Sequence, residues 1–236
     1  MNSPAKPRYL TKSRFKTAVG CPTKLYYTGK SAIYADTKQE DEFLKALAEG
    51  GFQVGELAKL MYPGGVEIES KVHEEAVDQT RQLLAQDQAT LFEAAICHGG
   101  LFARVDVLRK SGEQIELIEV KAKSFDSTDL FTFRQKKGGI DKGMLPYLQD
   151  VAFQRLVMSL AFPHLKIKSF LMLADQSKVC TVDGLNQKFK ISRDKDGRSS
   201  VKVLPNTNSS NTGNCIAVCI ATFNKHRKPP CRLQAY

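Results

Sequence analysis

Between residues 90 and 123 the hydrophobic pattern repeats every second residue, and two glycine-bearing breaks cut that stretch into three short pieces. TLFEAAIC (90–97), LFARVDVL (101–108) and QIELIEVKAK (114–123) are separated by His98-Gly99-Gly100 and Ser111-Gly112. Strand-compatible runs of this length, split by turn residues, predict a three-stranded meander. Helical periods flank it. Residues 41–61 place Phe43, Leu44 and Leu47, then Val54, Leu57, Leu60 and Met61, on one face, with an interruption at Gly50-Gly51 and a stop at Pro63-Gly64-Gly65. A second helix is expected over about 72–87. A third, over 145–162, carries Leu148, Val151, Ala152 and Leu156 and stops at Pro163. A buried strand follows at 166–175, with a further edge strand at 188–192. The expected class is therefore α/β (α+β): helix, three-stranded meander, helix and strand, forming a mixed central sheet flanked by helices.

At 236 residues the chain suits one compact core. The expected domain spans 1–192. Residues 193–236 follow as a Ser/Asn/Gly-rich loop (193–214) and a basic, Cys-containing tail. With 42% hydrophobic and 25% charged residues the composition is that of an ordinary globular protein. No apolar run approaches the roughly 18 residues of a spanning helix, and the basic opening lacks a signal peptide's apolar stretch. A cytoplasmic protein without a membrane partner is expected.

The net charge of +10 sits at the ends. Residues 1–30 hold seven Lys or Arg and no acid, and residues 176–236 hold 11 against three, whereas 31–175 hold 17 against 22. Basic flanks around an acidic middle suit a polyanion, since each neutralised phosphate releases counterions; basic tails that only aid solubility fit the same numbers. Tyr26-Tyr27, beside Lys24 and Lys30, suits either base stacking or ordinary packing. Six cysteines in a chain this long do not call for disulfide staples. Cys215, Cys219 and Cys231 are close enough in sequence for a shared site but match no usual zinc spacing. Cys97 and Cys180 lie beside strands and read as buried thiols, and His98 falls in a turn without a metal motif.

Chemistry concentrates in the third strand. Alternation puts Glu119, Lys121 and Lys123 on one face. A two-residue type II′ turn at Gly112-Glu113 pairs 108 with 117, 106 with 119 and 104 with 121, which sets Asp106 opposite Glu119 at roughly 5 Å between Cβ atoms. Two carboxylates so close need positive charge. Lys121 and Arg104 supply part of it, and a hard divalent cation such as Mg²⁺ satisfies the oxygens better. Lys121 would then orient or deprotonate a water, or neutralise charge growing on phosphorus. Glu-x-Lys is nonetheless a common pattern, and an alternating charged strand face also suits a solvated sheet surface.

Asp106 followed by Glu119-Val120-Lys121, within that order of elements, resembles the PD-(D/E)xK (restriction-endonuclease-like) nucleases. Asp150-Val151-Ala152-Phe153-Gln154 on the next helix is similar to the RecB-like branch, as are Leu10-Thr11-Lys12-Ser13-Arg14-Phe15 with Cys21-Pro22, and Gly51 to Ala58, which look like uncharacterised bacterial RecB-like proteins and CRISPR-associated exonucleases. The resemblance covers about residues 8–175. It implies a Mg²⁺- or Mn²⁺-dependent deoxyribonuclease of exonuclease type, acting on single strands or duplex ends, or a catalytically weak nucleic-acid-binding module on the same fold. Asp106, Glu119 and the Val120 carbonyl would bind metal, Lys121 would be the catalytic lysine, Gln154 would position DNA or water, and Glu56 would be an additional acid. Glu93 would support the site. Cys21, Cys215, Cys219 and Cys231 would hold a [4Fe-4S] cluster. A partner nuclease or helicase domain is implied, because similar domains front longer chains. Gly55 and Met158 depart from the pattern, where relatives often carry His and Tyr.

Overall fold

A computed structural model describes residues 8–30, 32–34, 42–129, 131–179, 182–193, 199–205, 207, 216–219 and 233–234. Its centre is a mixed sheet. The meander is β3 (Gln88–His98), β4 (Leu101–Ser111) and β5 (Gln114–Phe125), antiparallel throughout. The helix α5 (Leu145–Ala161) crosses over from β5 to β6 (Lys166–Asp175), which lies parallel to it. Outside β3 lies β2 (Val66–Glu67), and outside β6 lie β9 (Ile216–Cys219) and β10 (Leu233–Gln234). The N-terminal β1 (Leu10–Thr11) pairs with β4 off this path. Residues beyond 193 thus include two strands of the central sheet, not only a trailing loop and tail.

Helices cover both faces. One core packs Phe153, Val157 and Met158 of α5 against Leu91, Val105, Leu108 and Leu117 of the meander. On the opposite face, α3 (Glu42–Leu60) packs Ala58 and Val54 against Val107, Ile118, Val120 and Met172, and α4 (His73–Leu84) packs Ala76 and Val77 against Ala95 and Phe102. Leu108 and Leu117 are fully enclosed, and burial of each contributes about 1.5–3 kcal/mol. Before these lie α1 (Lys12–Gly20), capped by the Thr11 hydroxyl on the Arg14 N–H, and α2 (Pro22–Tyr27).

Three sequence expectations need correction. The helix over 41–61 is not interrupted at Gly50-Gly51; it is continuous as α3, because apolar packing by its second half outweighs a glycine cost of about 1 kcal/mol each. The strand expected at 188–192 is β7 (Phe189–Arg193), and it edges no part of the central sheet. It pairs with β8 (Ser199–Val203), inside the expected loop, as a separate two-stranded ribbon. Cys97 is half-buried, since the end of β3 runs out to an exposed turn at His98. Cys180 lies outside the described residues. Among the described residues no helix is long and apolar enough to cross a membrane.

Candidate active site at a fork in the sheet

The turn expected at Gly112-Glu113 is present. Ser111 pairs with Gln114 across it, and Gly112 has φ +55, as the first central residue of a type II′ turn requires. Leu108 faces Leu117, also as expected. The ladder then stops at Val107 and Ile118. Beyond that point β5 stays with β6, with Glu119 beside Leu171 and Val120 beside Met172, while β4 stays with β3 out to Leu101 and His98. The two strands part like a fork. Leu10 and Thr11 of β1 pair with Leu101 and Phe102 on the side of β4 that β5 has vacated. The next residue, Lys12, is thereby delivered into the wedge.

A matched irregularity lies at the same place. Leu91 and Ala94 share one core, as do Val105 and Leu108, although each pair is three residues apart. Phe92 and Val107, between them, belong to the opposite core. Each strand therefore holds one additional residue, Glu93 in β3 and Asp106 in β4, and the partners on either side, Phe92 with Val107 and Ala94 with Val105, keep a constant register. Glu93 takes φ +54, sparsely populated by residues with a side chain. The simple alternation expected around Asp106 is broken. Its Oδ2 accepts the Val120 N–H at 2.6 Å, a bond that a strand backbone would otherwise make.

Asp106 and Glu119 still converge, joined by an ammonium the sequence reading did not single out. Lys12 Nζ lies 2.8 Å and 3.0 Å from the two carboxylate oxygens of Glu119 and 4.0 Å from Asp106 Oδ1. Lys121 Nζ is 2.5 Å from Glu119 Oε1 and 3.5 Å from Asp150 Oδ2. Gln154 Nε2 donates to Glu119 Oε2. Lys16 reaches Asp150 Oδ2 at 3.3 Å. The logic is helical: Lys12 and Lys16 sit one turn apart on α1, Asp150 and Gln154 one turn apart on α5, and Phe15 stacks on Phe153 with centroids 4.9 Å apart. The Asp150/Gln154 spacing was legible as one helix face. Arg104, expected to neutralise the pair, instead donates to the carbonyls of Ile68 and Ser70.

Burial decides the electrostatics. Glu119 is fully enclosed. That burial pushes its pKa up, but Lys12 and Lys121 outweigh it and hold the group below the usual carboxylate range. Asp106 lacks such full compensation. Burial, then the charge of Glu119, raises its carboxyl to about 7. For Lys121 burial acts downward, yet Glu119 prevails and the pKa is raised; Lys12 follows the same pattern. Glu93 is raised by burial.

The fork opens on a cavity of about 600 Å³. Asp106, Val120 and Lys121 line its floor, and Gly55 and Glu56 of α3 line its wall. A Cβ added at Gly51 or Gly55 would meet nothing within 4 Å, so these glycines leave the wall open. Glu56 thus shares the cavity, with its carboxylate 2.7 Å from Lys59 Nζ. Glu93 lines it too.

For a metal, the donors present are two acidic groups, a backbone carbonyl at Val120 and open space. Among the described residues no group of three His, Cys, Asp or Glu side chains is placed to hold a metal ion. Mg²⁺ does not require one, since it binds through one or two carboxylates and keeps several waters. The Lys12 ammonium between the carboxylates is a cation already held there, and the buried Asp150 Oδ1 and Gln154 Oε1 beside it accept no hydrogen bond. The donor set fits a hard divalent ion. For the iron–sulfur set, Cys21 is a half-buried free thiol whose pKa is lowered chiefly by the Lys24 N–H, and Cys219 belongs to β9. Cys215 and Cys231 lie outside the described residues. Tyr26 and Tyr27 are exposed, 59% and 45%, with Lys30 Nζ 3.3 Å above the Tyr26 ring.

No family model, no curated protein and no solved structure matches this chain.

Proposed function

We propose that this chain is a divalent-metal-dependent nuclease that hydrolyses DNA phosphodiester bonds, built on a restriction-endonuclease-like PD-(D/E)xK core of the RecB-like exonuclease type. What carries the proposal is the meeting of Asp106, Glu119 and Lys121 where two strands part, with Asp106 and Lys121 lining an open cavity and Glu119 enclosed behind them. Asp106, Glu119 and the Val120 carbonyl would hold Mg²⁺ or Mn²⁺. A cation held there polarises the phosphate and makes water more acidic. The raised pKa of Lys121 favours a permanently charged ammonium over a base, so its part is to neutralise charge developing on the phosphate oxygens. Gln154 and Lys121 fix the rotamer of Glu119. Glu56 and Glu93 add acidic character to the cavity wall. The basic first 30 residues and the exposed Tyr26 and Tyr27 suit a single-stranded DNA path.

One observation favours a second reading. Both oxygens of Glu119 already have donors within the protein, which suits a nucleic-acid-binding module held together by a buried ion network. Cleavage separates the two. With labelled linear and circular DNA, wild-type protein in Mn²⁺ should degrade linear substrate, and EDTA or Lys121→Ala should stop it. DNA bound equally by both proteins, with no cleavage in any metal, would establish the binding module instead.

A further inference from the structure

The N-terminal helix is attached mainly through a few side chains on one face. β1 is two residues long, and α1 has no buried residue of its own. The helix itself is held by the Phe15–Phe153 stack, the Lys16–Asp150 pair and the Lys12 ammonium, while Tyr9 and Leu10 just before it pack on Phe102 and into the main core. That ammonium meets both oxygens of a fully enclosed carboxylate and approaches the second carboxylate at 4.0 Å. Its position is therefore that of a cation shared by Asp106 and Glu119. Two cations cannot occupy that one point between the carboxylates together, although each oxygen can accept a second donor from another side.

We propose that Lys12 is a place-holder for the site's cation: it keeps the two carboxylates together in the metal-free protein, and a divalent ion gains its position by expelling it, which releases the start of α1. The idea rests on the metal-dependent nuclease reading above and adds to it a coupling between ion binding and the N-terminal segment. Lys12 is suited to the exchange. Its side chain is 23% exposed, so an outward route exists, and its flexible stem lets the head group leave first, after which the helix has lost one of its anchors. Lys121 and Gln154 remain on Glu119 after the exchange, so the carboxylate is not stranded. The segment released is the basic one, with Lys12, Arg14 and Lys16 freed beside an incoming polyanion.

Two measurements on the full chain test this. By calorimetry, Lys12→Met should bind Mn²⁺ roughly tenfold more tightly than wild type, a coupling in the ordinary range for competing ligands. By hydrogen exchange, which needs no variant, Mn²⁺ should speed exchange of the α1 amides in wild-type protein. In Lys12→Met these amides should exchange fast without metal and respond little to it. A lysine that only screens charge would change the affinity but would not make Mn²⁺ loosen α1 in the wild type. Unchanged or slowed α1 exchange with Mn²⁺ overturns the place-holder, as does equal affinity in the two proteins. If Mn²⁺ binds and Asp106→Asn abolishes binding, the metal site survives that failure; if Mn²⁺ binds neither wild type nor Lys12→Met, both ideas fall.

Discussion

Strands β4 and β5 are two different objects along their length. From the turn to Val107 and Ile118 they form an unbroken ladder whose side chains, Leu108 and Leu117 among them, fill the core. Past that point the ladder is abandoned and the same strands carry Asp106, Glu119 and Lys121. The closed half gains stability from burial. The open half gives up backbone pairing, replaces it with side-chain acceptors such as Asp106 on the Val120 N–H, and gains a place where charges converge on solvent-accessible space. Stability and chemistry are separated by about one residue.

That separation predicts opposite outcomes for substitutions a few ångströms apart. Leu117→Ala in the closed half should lower unfolding free energy by about 2–5 kcal/mol, read from urea denaturation, through lost burial and a cavity. It should leave the cleavage rate of the protein that remains folded nearly intact. Lys121→Met in the open half should lower cleavage by about a hundredfold, equivalent to roughly 2.7 kcal/mol of barrier, in protein that is still folded, with Lys12 left to balance Glu119. A Lys121→Met protein as active as wild type would erase the distinction. Two glycines sharpen it further. Gly112→Ala should cost about 1 kcal/mol, because φ +55 is strained for any side chain while its Cβ meets only Asp87 Oδ1 at 3.9 Å. Gly55→Ala should instead stabilise α3 by up to about 1 kcal/mol, since helix propensity improves and the new methyl meets nothing. The same methyl narrows the cavity, so cleavage should fall as stability rises. A last effect is read in pH. Asp106 in the folded, metal-free chain holds its proton up to about 7, against an ordinary 3.8. Between these values the native state binds more protons than the unfolded one, so this group makes stability fall as pH rises through that window. Urea midpoints across pH 4–7 should show a slope that Asp106→Asn flattens.

Much of the fold could be read from the chain because its signals are local. Gly112 marked the turn, the turn determined that Leu108 meets Leu117, and Asp150 and Gln154 lie one helical turn apart in plain view. The break of alternation at Glu93 and Asp106 was hidden for a physical reason. With helices on both faces, adjacent residues such as Val107 and Leu108 are both buried, so apolar identity no longer reports which face a residue occupies. Lys12 was hidden by distance. It meets Glu119 across 107 positions of sequence, and nothing in its own neighbourhood signals that a parted pair of strands will receive it. The continuity of α3 through Gly50-Gly51 was misjudged because packing by the residues after the glycines decides it.

The paired extra residues at Glu93 and Asp106 bear on how such a chain can vary over time. Because each strand carries one and the register across them is unchanged, deleting either alone would slide half of one strand by a position and turn its core side chains outward. Deleting both would restore a regular ribbon and remove the acid at the fork. Length changes here are tolerable only as a matched set, so the spacing of these two strands is inherited as a single trait, and losing that trait means losing the fork's carboxylate with it.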